Sequence, residues 1–172
     1  MNIGRDLGIA PTGGDQRFVG AIPRSRPTKP HSKDLRKGRI SITWQSYLIT
    51  TVTQNRQPVF SDFHNARHLI RILRAEQTLG RATTLAFVVM PDHLHWLLQL
   101  TGAVSLAKIM QSVKGLSAKQ IGRPIWQEGY HDHALRQEED LKAVARYIIA
   151  NPLRAGLAEI IGDYPHWDAV WF

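Results

Sequence analysis

The stretch 88–98, which reads VVMPDHLHWLL, constrains the fold of this chain more than any other. Residues that favour β-strands lie on both sides of Pro91 and Asp92, and proline and aspartate are both common in tight turns. The pattern predicts a hairpin with strands over 83–90 and 93–100. At least part of the domain must therefore be an antiparallel sheet.

His93 and His95 are two residues apart in the second strand of this hairpin. Side chains alternate between the faces of a strand, so the two imidazoles share one face. Two histidines at this spacing can bind one divalent metal ion. They can equally be a pair on the solvent-facing side of a sheet, and the spacing alone does not decide. The opposite face, which we predict to be the core face, carries Leu94, Trp96, Leu98 and Leu100.

The rest of the pattern predicts an α+β fold. β-Branched residues predict a strand over 47–53, and apolar periodicity predicts helices from Ser61 or Asp62 to Leu79, over 105–121 and over 137–151, with an extended segment over 124–135. This order fits a ferredoxin-like four-stranded antiparallel sheet with helices on one face, the face away from the histidines.

Composition limits the class of protein. The chain has 172 residues, of which 43% are hydrophobic, and contains no cysteine. Disulfides, thiolate metal sites and cysteine nucleophiles are excluded, and a metal site must use His, Asp, Glu, Asn or Gln. No apolar run approaches the roughly 20 residues that span a membrane, and no signal-peptide core is present. We expect a cytoplasmic protein without a membrane partner.

The formal net charge of +8 makes nucleic acid the expected partner. Residues 1–36 are rich in Gly, Pro, Arg and Ser and are predicted to be a disordered basic arm, with one domain over 37–172. The residues predicted to contact DNA are Arg36, Lys37 and Arg39 before the first strand, Lys108, Lys114 and Lys119 on the middle helix, and His133. Ordinary solvation of the lysines is the alternative interpretation.

Tyr147 and Asn151 are four residues apart on the last predicted helix. They face the same way if helical geometry persists as far as Asn151, although Pro152 makes the final turn uncertain. A tyrosine beside a metal-bound phosphate can act as a nucleophile, and an asparagine carbonyl can bind a metal. A half-buried core tyrosine and a helix-capping asparagine are the alternatives, and residue chemistry alone favours them.

Three ordered blocks resemble the REP-associated tyrosine transposases, a branch of the one-tyrosine HUH transposases. They are His93-Leu94-His95 with its flanks, the segment 126–141 and the segment 146–157. The resemblance runs from about Leu35 to the C-terminus. Trp44-Gln45 departs from the Pro-Gly that often precedes the first strand in this family.

The resemblance implies an HUH domain in which His93, His95 and Asn151 bind Mg²⁺ or Mn²⁺ and Tyr147 attacks DNA. The family cuts single-stranded DNA at REP hairpins beside a short guide tetranucleotide, leaving a 5′-phosphotyrosine link and a free 3′-OH. We expect a monomer that acts at the bacterial nucleoid. A hairpin-binding protein without cleavage and a hydrolase that uses water are alternatives, and Tyr130 is a rival nucleophile.

Overall fold

The computed structural model describes residues 44–102, 104–136 and 140–172. Within these ranges, five strands form one antiparallel sheet in the order β4-β1-β3-β2-β5. The strands are β1 (Ser46–Val52), β2 (Ala82–Met90), β3 (His93–Leu100), β4 (His131–Ala134) and β5 (Trp167–Ala169). The predicted α+β class and antiparallel sheet are confirmed, and β5 adds a fifth strand at the β2 edge.

The predicted hairpin is present. β2 and β3 pair from Met90 and His93 outward, and Pro91 and Asp92 form the turn between them. β3 lies at the centre of the sheet, between β1 and β2. The histidine-bearing strand is therefore held by hydrogen bonds on both sides.

Two long helices cover one face of the sheet, as predicted. Helix α1 (Phe63–Thr78) begins at Asp62, whose carboxylate accepts a hydrogen bond from the Asn65 amide, and α2 (Leu106–Ile121) begins at Ser105 in the same way. Their apolar sides pack on a core that contains the predicted face of β3: Leu94, Trp96, Leu98 and Leu100, each almost fully buried.

A third helix covers part of the opposite face, which corrects the prediction that the helices lie on one face only. Helix α3 (Leu141–Ile149) packs Ala145, Ile148 and Ile149 against a second core cluster that includes Val88 and Leu97. The prediction left this face open because it carries the histidines. Leu97 lies on the same face as the histidines and is buried in the cluster that α3 joins.

The end of α3 also differs from the prediction. The helix stops at Ile149, and a short helix α4 (Asn151–Arg154) follows after Ala150. Pro152 lies in the first turn of α4, where its missing N–H has no intrahelical partner to lose. Proline therefore begins a new helical turn here instead of only ending the previous one.

Some predictions fall outside the described residues. These are the basic arm over 1–36, the candidate DNA contacts Arg36, Lys37 and Arg39, and the predicted helix start at 137–139. Asp140, the first described residue after that gap, caps α3 by accepting hydrogen bonds from the amides of Lys142 and Ala143. Among the described helices, none is both long enough and apolar enough to cross a bilayer.

Candidate metal and nucleophile site

The two imidazoles lie against each other at the start of β3. The ring centroids of His93 and His95 are 4.8 Å apart and the ring planes are nearly perpendicular, at 86°. This contact follows from the alternation of the strand, which places both side chains on the face covered in part by α3. The predicted histidine pair is thus a compact unit of two nitrogen-bearing rings.

A different neighbour holds the Nδ1 atom of each ring. Thr50 Oγ1 is 2.8 Å from His95 Nδ1, because β1 pairs with β3 so that Thr50 lies opposite His95. Asp92 Oδ1 is 2.5 Å from His93 Nδ1. With Nδ1 engaged on both rings, Nε2 is the atom that each ring presents to a further partner, which is the usual arrangement behind a metal-binding histidine.

His95 is held in its neutral form, the form in which an imidazole can bind a metal ion. Burial is the largest of the effects that lower the pKa of His95 from 6.5 to about 4; the nearby charges of His93 and Arg154 act in the same direction, and Asp92 opposes them. Protonation would block coordination by a ring nitrogen. His95 therefore remains available as a ligand across the physiological pH range.

Arg56 supports the other histidine through Asp92. Its Nη1 donates to Asp92 Oδ2 at 2.9 Å. Burial by itself would raise the pKa of Asp92, but the hydrogen bonds from His93 and Arg56 outweigh it and hold that pKa below its usual range. Asn55 and Arg56 both have φ of 53°, in the left-handed region that non-glycine residues seldom adopt. The turn therefore accepts backbone strain next to the site.

Tyr147, Asn151 and Arg154 form the second half of the site. The guanidinium of Arg154 lies 4.3 Å from the centroid of the Tyr147 ring, and its Nη2 donates to Asn151 Oδ1 at 3.1 Å and to the Tyr147 carbonyl. Asn151 Nδ2 donates to the Ile148 carbonyl at 2.8 Å. The Tyr147 side chain is 62% exposed, so it is not the half-buried core tyrosine of the alternative interpretation.

The two halves are neighbours across the sheet. Helices α3 and α4 both contact β2, which pairs with β3, and the charge of Arg154 is close enough to lower the pKa of His95. The sequence separates His95 from Tyr147 by a helix, a loop and a strand. The fold brings them to one side of the sheet.

The residues present offer nitrogen and oxygen donors to a divalent ion. The two imidazoles offer Nε2, and Asn151 offers an amide oxygen. Across the described ranges, no group of three or more His, Asp, Glu or Cys side chains could hold a metal. A third protein ligand must therefore be of another type, and the amide of Asn151 is of that type.

The predicted DNA contacts on α2 differ in their surroundings. Lys108 and Lys119 are exposed, whereas Lys114 Nζ donates to the carbonyls of Gln127 and Gly129, each at 2.6 Å. Lys114 thus anchors the loop before β4 in this structure. His133 lies opposite Leu48 in the β1–β4 ladder, on the face of the histidine pair. DNA contact by each of these residues stays a prediction.

A family model described as "Transposase IS200 like" matches residues 41–151, a segment that contains both histidines, Tyr147 and Asn151. This chain belongs to the IS200-like transposase family. A REP-associated tyrosine transposase of Escherichia coli K12 is 29% identical over 82 residues, which cover 46% of this chain and 50% of that protein. A Haemophilus influenzae Rd protein, provisionally named a REP-associated tyrosine transposase, is 27% identical over 99 residues, or 48% of this chain and 56% of that protein.

These matches confirm the predicted resemblance to the REP-associated branch, although the chain spans only about half the length of the curated relatives it matches. A solved REP-associated tyrosine transposase bound to a REP hairpin has the same fold, with a TM-score of 0.64 and 22% identity. The match covers 75% of this chain and 79% of that chain.

Three further residues contact the site of this IS200-like transposase and were not predicted from its sequence: Thr50, Arg56 and Arg154. The contact of Thr50 depends on the register of β1 against β3. The contact of Arg56 depends on the turn at 54–56, which brings it to Asp92. Arg154 had a local signal, because it follows Tyr147 by seven residues, or about two helical turns. That spacing places it on the tyrosine side of the helix.

Proposed function

We propose that this protein is a metal-dependent single-stranded DNA endonuclease and strand transferase that acts on REP-type hairpins through a 5′-phosphotyrosine intermediate. His93, His95 and Asn151 would hold Mg²⁺ or Mn²⁺, and Tyr147 would be the nucleophile. The observation that carries this proposal is the convergence of the oriented imidazole pair and the exposed Tyr147 on one side of the sheet.

The residues suit a transesterification. A divalent ion, when bound, supplies positive charge that polarises the phosphate and offsets charge in the transition state. The Tyr147 oxygen attacks phosphorus and releases its proton, while the bond from phosphorus to the 3′ oxygen breaks and that oxygen gains a proton. The products are a phosphotyrosine ester and a free 3′-OH. The ester retains a phosphodiester bond, so the reverse attack by a 3′-OH rejoins strands without another energy source.

The exposure of Tyr147 fits a DNA substrate that is not fully duplex. A phosphate can reach an exposed phenol beside the sheet only where the backbone is accessible and can bend, as in single strands and hairpin junctions. The names of the relatives and the REP hairpin in the related complex support a REP-type hairpin as the substrate. The net charge of +8 supports a nucleic-acid partner in general. We infer action as a monomer at the nucleoid.

The test uses REP hairpin oligonucleotides from the host genome, labelled at either end, with Mn²⁺ or Mg²⁺. Wild type, Tyr147→Phe and the control Tyr130→Phe are run on denaturing protein gels. We expect a metal-dependent covalent protein–DNA band in wild type and Tyr130→Phe, and none in Tyr147→Phe.

Three other results would contradict the proposal in different ways. Hairpin binding by wild type without cleavage or a covalent band would identify a binding protein that does not cut. Cleavage that survives in Tyr147→Phe would identify a hydrolase that uses water, and loss of the band in Tyr130→Phe alone would make Tyr130 the nucleophile.

A further inference from the structure

Arg154 contacts both Tyr147 and Asn151. Its guanidinium covers the Tyr147 ring at 4.3 Å, it donates to the carbonyl of the same residue, and it donates to Asn151 Oδ1 at 3.1 Å. Its charge also acts on His95. Because Arg154 is on the short helix α4 and is itself exposed, these contacts do not serve to fill the core.

The contact with Asn151 involves the atom that a metal ion would need. An asparagine side chain binds a hard cation through its carbonyl oxygen, because its amide nitrogen has no free lone pair to donate. Asn151 Nδ2 already donates to the Ile148 carbonyl, which turns Oδ1 toward Arg154. Oδ1 has two lone pairs, so an ion that takes it as a ligand either displaces this hydrogen bond or shares the oxygen with a guanidinium whose Nη2 lies 3.1 Å from it.

The positive charge of Arg154 also opposes the binding of a divalent ion. Arginine stays protonated in proteins, so a guanidinium beside the ligand set repels a divalent cation at every accessible pH. A structural arginine that merely supported Asn151 would help the site to bind metal. An arginine that occupies the ligand atom would hinder metal binding. The two roles therefore predict opposite changes in metal affinity when the charge of Arg154 is removed.

We propose that Arg154 is a positioning residue that clamps Tyr147 to Asn151 in the metal-free protein and competes with the divalent ion for Asn151 Oδ1. This inference rests on the proposed function, since it assumes that His93, His95 and Asn151 hold the ion. Binding of a DNA phosphate gives the guanidinium an anionic partner in place of Asn151. Arg154 thereby favours loading of the ion together with DNA over loading in the free protein.

The experiment measures Mn²⁺ affinity without DNA, by following free Mn²⁺ with electron paramagnetic resonance. Arg154→Met removes the charge and the donors but keeps an unbranched side chain. The matched control is Arg146→Met, which makes the same change in net charge on α3, where the guanidinium lies 5.7 Å from the Phe172 ring centroid. Arg154→Lys keeps the positive charge, and Arg154→Gln is a second neutral variant. Circular dichroism melts check that each variant folds.

We expect Arg154→Met to bind Mn²⁺ roughly five- to tenfold more tightly than wild type, the size expected for one lost charged hydrogen bond at a partly exposed site. Arg154→Gln should change in the same direction, while Arg154→Lys and Arg146→Met should stay near wild type. Unchanged or weaker Mn²⁺ binding in both neutral Arg154 variants would overturn the inference.

His93→Ala separates the failure of this inference from the failure of the proposed function. If His93→Ala abolishes Mn²⁺ binding and the neutral Arg154 variants do not bind more tightly, the metal site stands and only the role of Arg154 is wrong. If wild type binds no Mn²⁺, or binds it equally well as His93→Ala, the proposed metal site and the role of Arg154 are both overturned.

Discussion

At the scale of single residues, the site depends on side chains that hold the histidines. Thr50 and Asp92 each engage one Nδ1 atom, and Arg56 in turn holds Asp92. Such outer partners fix the orientation of a ligand before any ion arrives, which reduces the entropy lost on binding. The ligands and the residues behind them therefore act as one unit.

Asp92→Asn is expected to weaken Mn²⁺ binding by roughly tenfold, the lower end of the effect typical for outer partners of metal ligands. The variant keeps the size of the side chain but loses the negative charge beside His93 and the ion pair with Arg56. Asp168→Asn is the control, because Asp168 pairs with Arg74 near the β5 edge. Equal Mn²⁺ affinity in the two variants would show that Asp92 does not support the metal site.

The buried imidazole of His95 is expected to make the protein less stable in mild acid. Its pKa is lowered to about 4 in the folded protein, against 6.5 ordinarily, so the unfolded chain binds the proton more readily. The contribution to stability is complete above pH 6.5 and is lost as the pH falls toward 4. Its size is on the order of 3 kcal/mol.

Urea unfolding between pH 7 and pH 4 measures this effect. His95→Gln serves as the comparison, since glutamine cannot titrate and can still hydrogen-bond to Thr50. The free energy of unfolding of wild type should fall more steeply with decreasing pH than that of the variant. Parallel pH profiles would contradict the assignment of a depressed pKa to His95.

At the scale of elements, the loop before β4 forms part of the surface beside the histidine face. Residues 127–131 and the β1 residues Thr50 and Val52 line a small hollow of about 50 Å³. Backbone hydrogen bonds join Gln54 to Ile125 and Gln127 to Val52, and Lys114 on α2 binds the loop from the other side. The loop is therefore tied to both the sheet and a helix.

Lys114→Met should lower the free energy of unfolding by about 1–2 kcal/mol, because two loop carbonyls lose a charged donor. Lys108→Met, an exposed position on the same helix, should change it by less than about 0.5 kcal/mol. Urea denaturation of both variants checks the difference. If Lys114→Met reduced DNA affinity without any loss of stability, DNA contact would be its main role.

At the scale of the whole molecule, the sheet separates two layers with different content. One face packs on α1 and α2 in a large apolar core, and the other carries the histidine pair, α3 and the tyrosine. The C-terminal end of α2 nevertheless lies near the histidine end of the sheet, since Arg123 donates to Gln57, which follows Arg56 in the segment between β1 and α1, and Arg56 contacts Asp92.

This placement predicts unequal roles for the two exposed lysines of α2. Lys119 lies near the C-terminal end, whereas Lys108 lies eleven residues earlier, or about 16 Å along the helix. Lys119→Gln should weaken REP hairpin binding and reduce the slope of log K against log salt by about 0.7–0.9. Lys108→Gln should leave that slope unchanged. Fluorescence anisotropy over a salt series measures both, and equal slopes for the two variants would contradict this orientation of the DNA.

The fold class and most element boundaries could be predicted from local pattern. Strand β3 has the predicted bounds, and β1, β2 and both long helices differ by one residue at their ends. The position of α3 could not be predicted in this way, because the face that carries His93 and His95 also carries Leu97 and gives no clear apolar stripe. The break at Ala150 was also missed, since proline is compatible with both the end and the start of a helix.

The residue types in the chain limit the chemistry that is available. Alternation along β3 fixes both imidazoles on one face, and the absence of cysteine restricts the metal ligands to nitrogen and oxygen. Tertiary structure alone decided which residues surround them. Thr50 meets His95 across 45 positions of chain through strand pairing, and Arg56 reaches Asp92 across 36 positions through the turn at 54–56. Local patterns follow from the geometry of one element, whereas these contacts depend on how separate elements pack, which one sequence does not display.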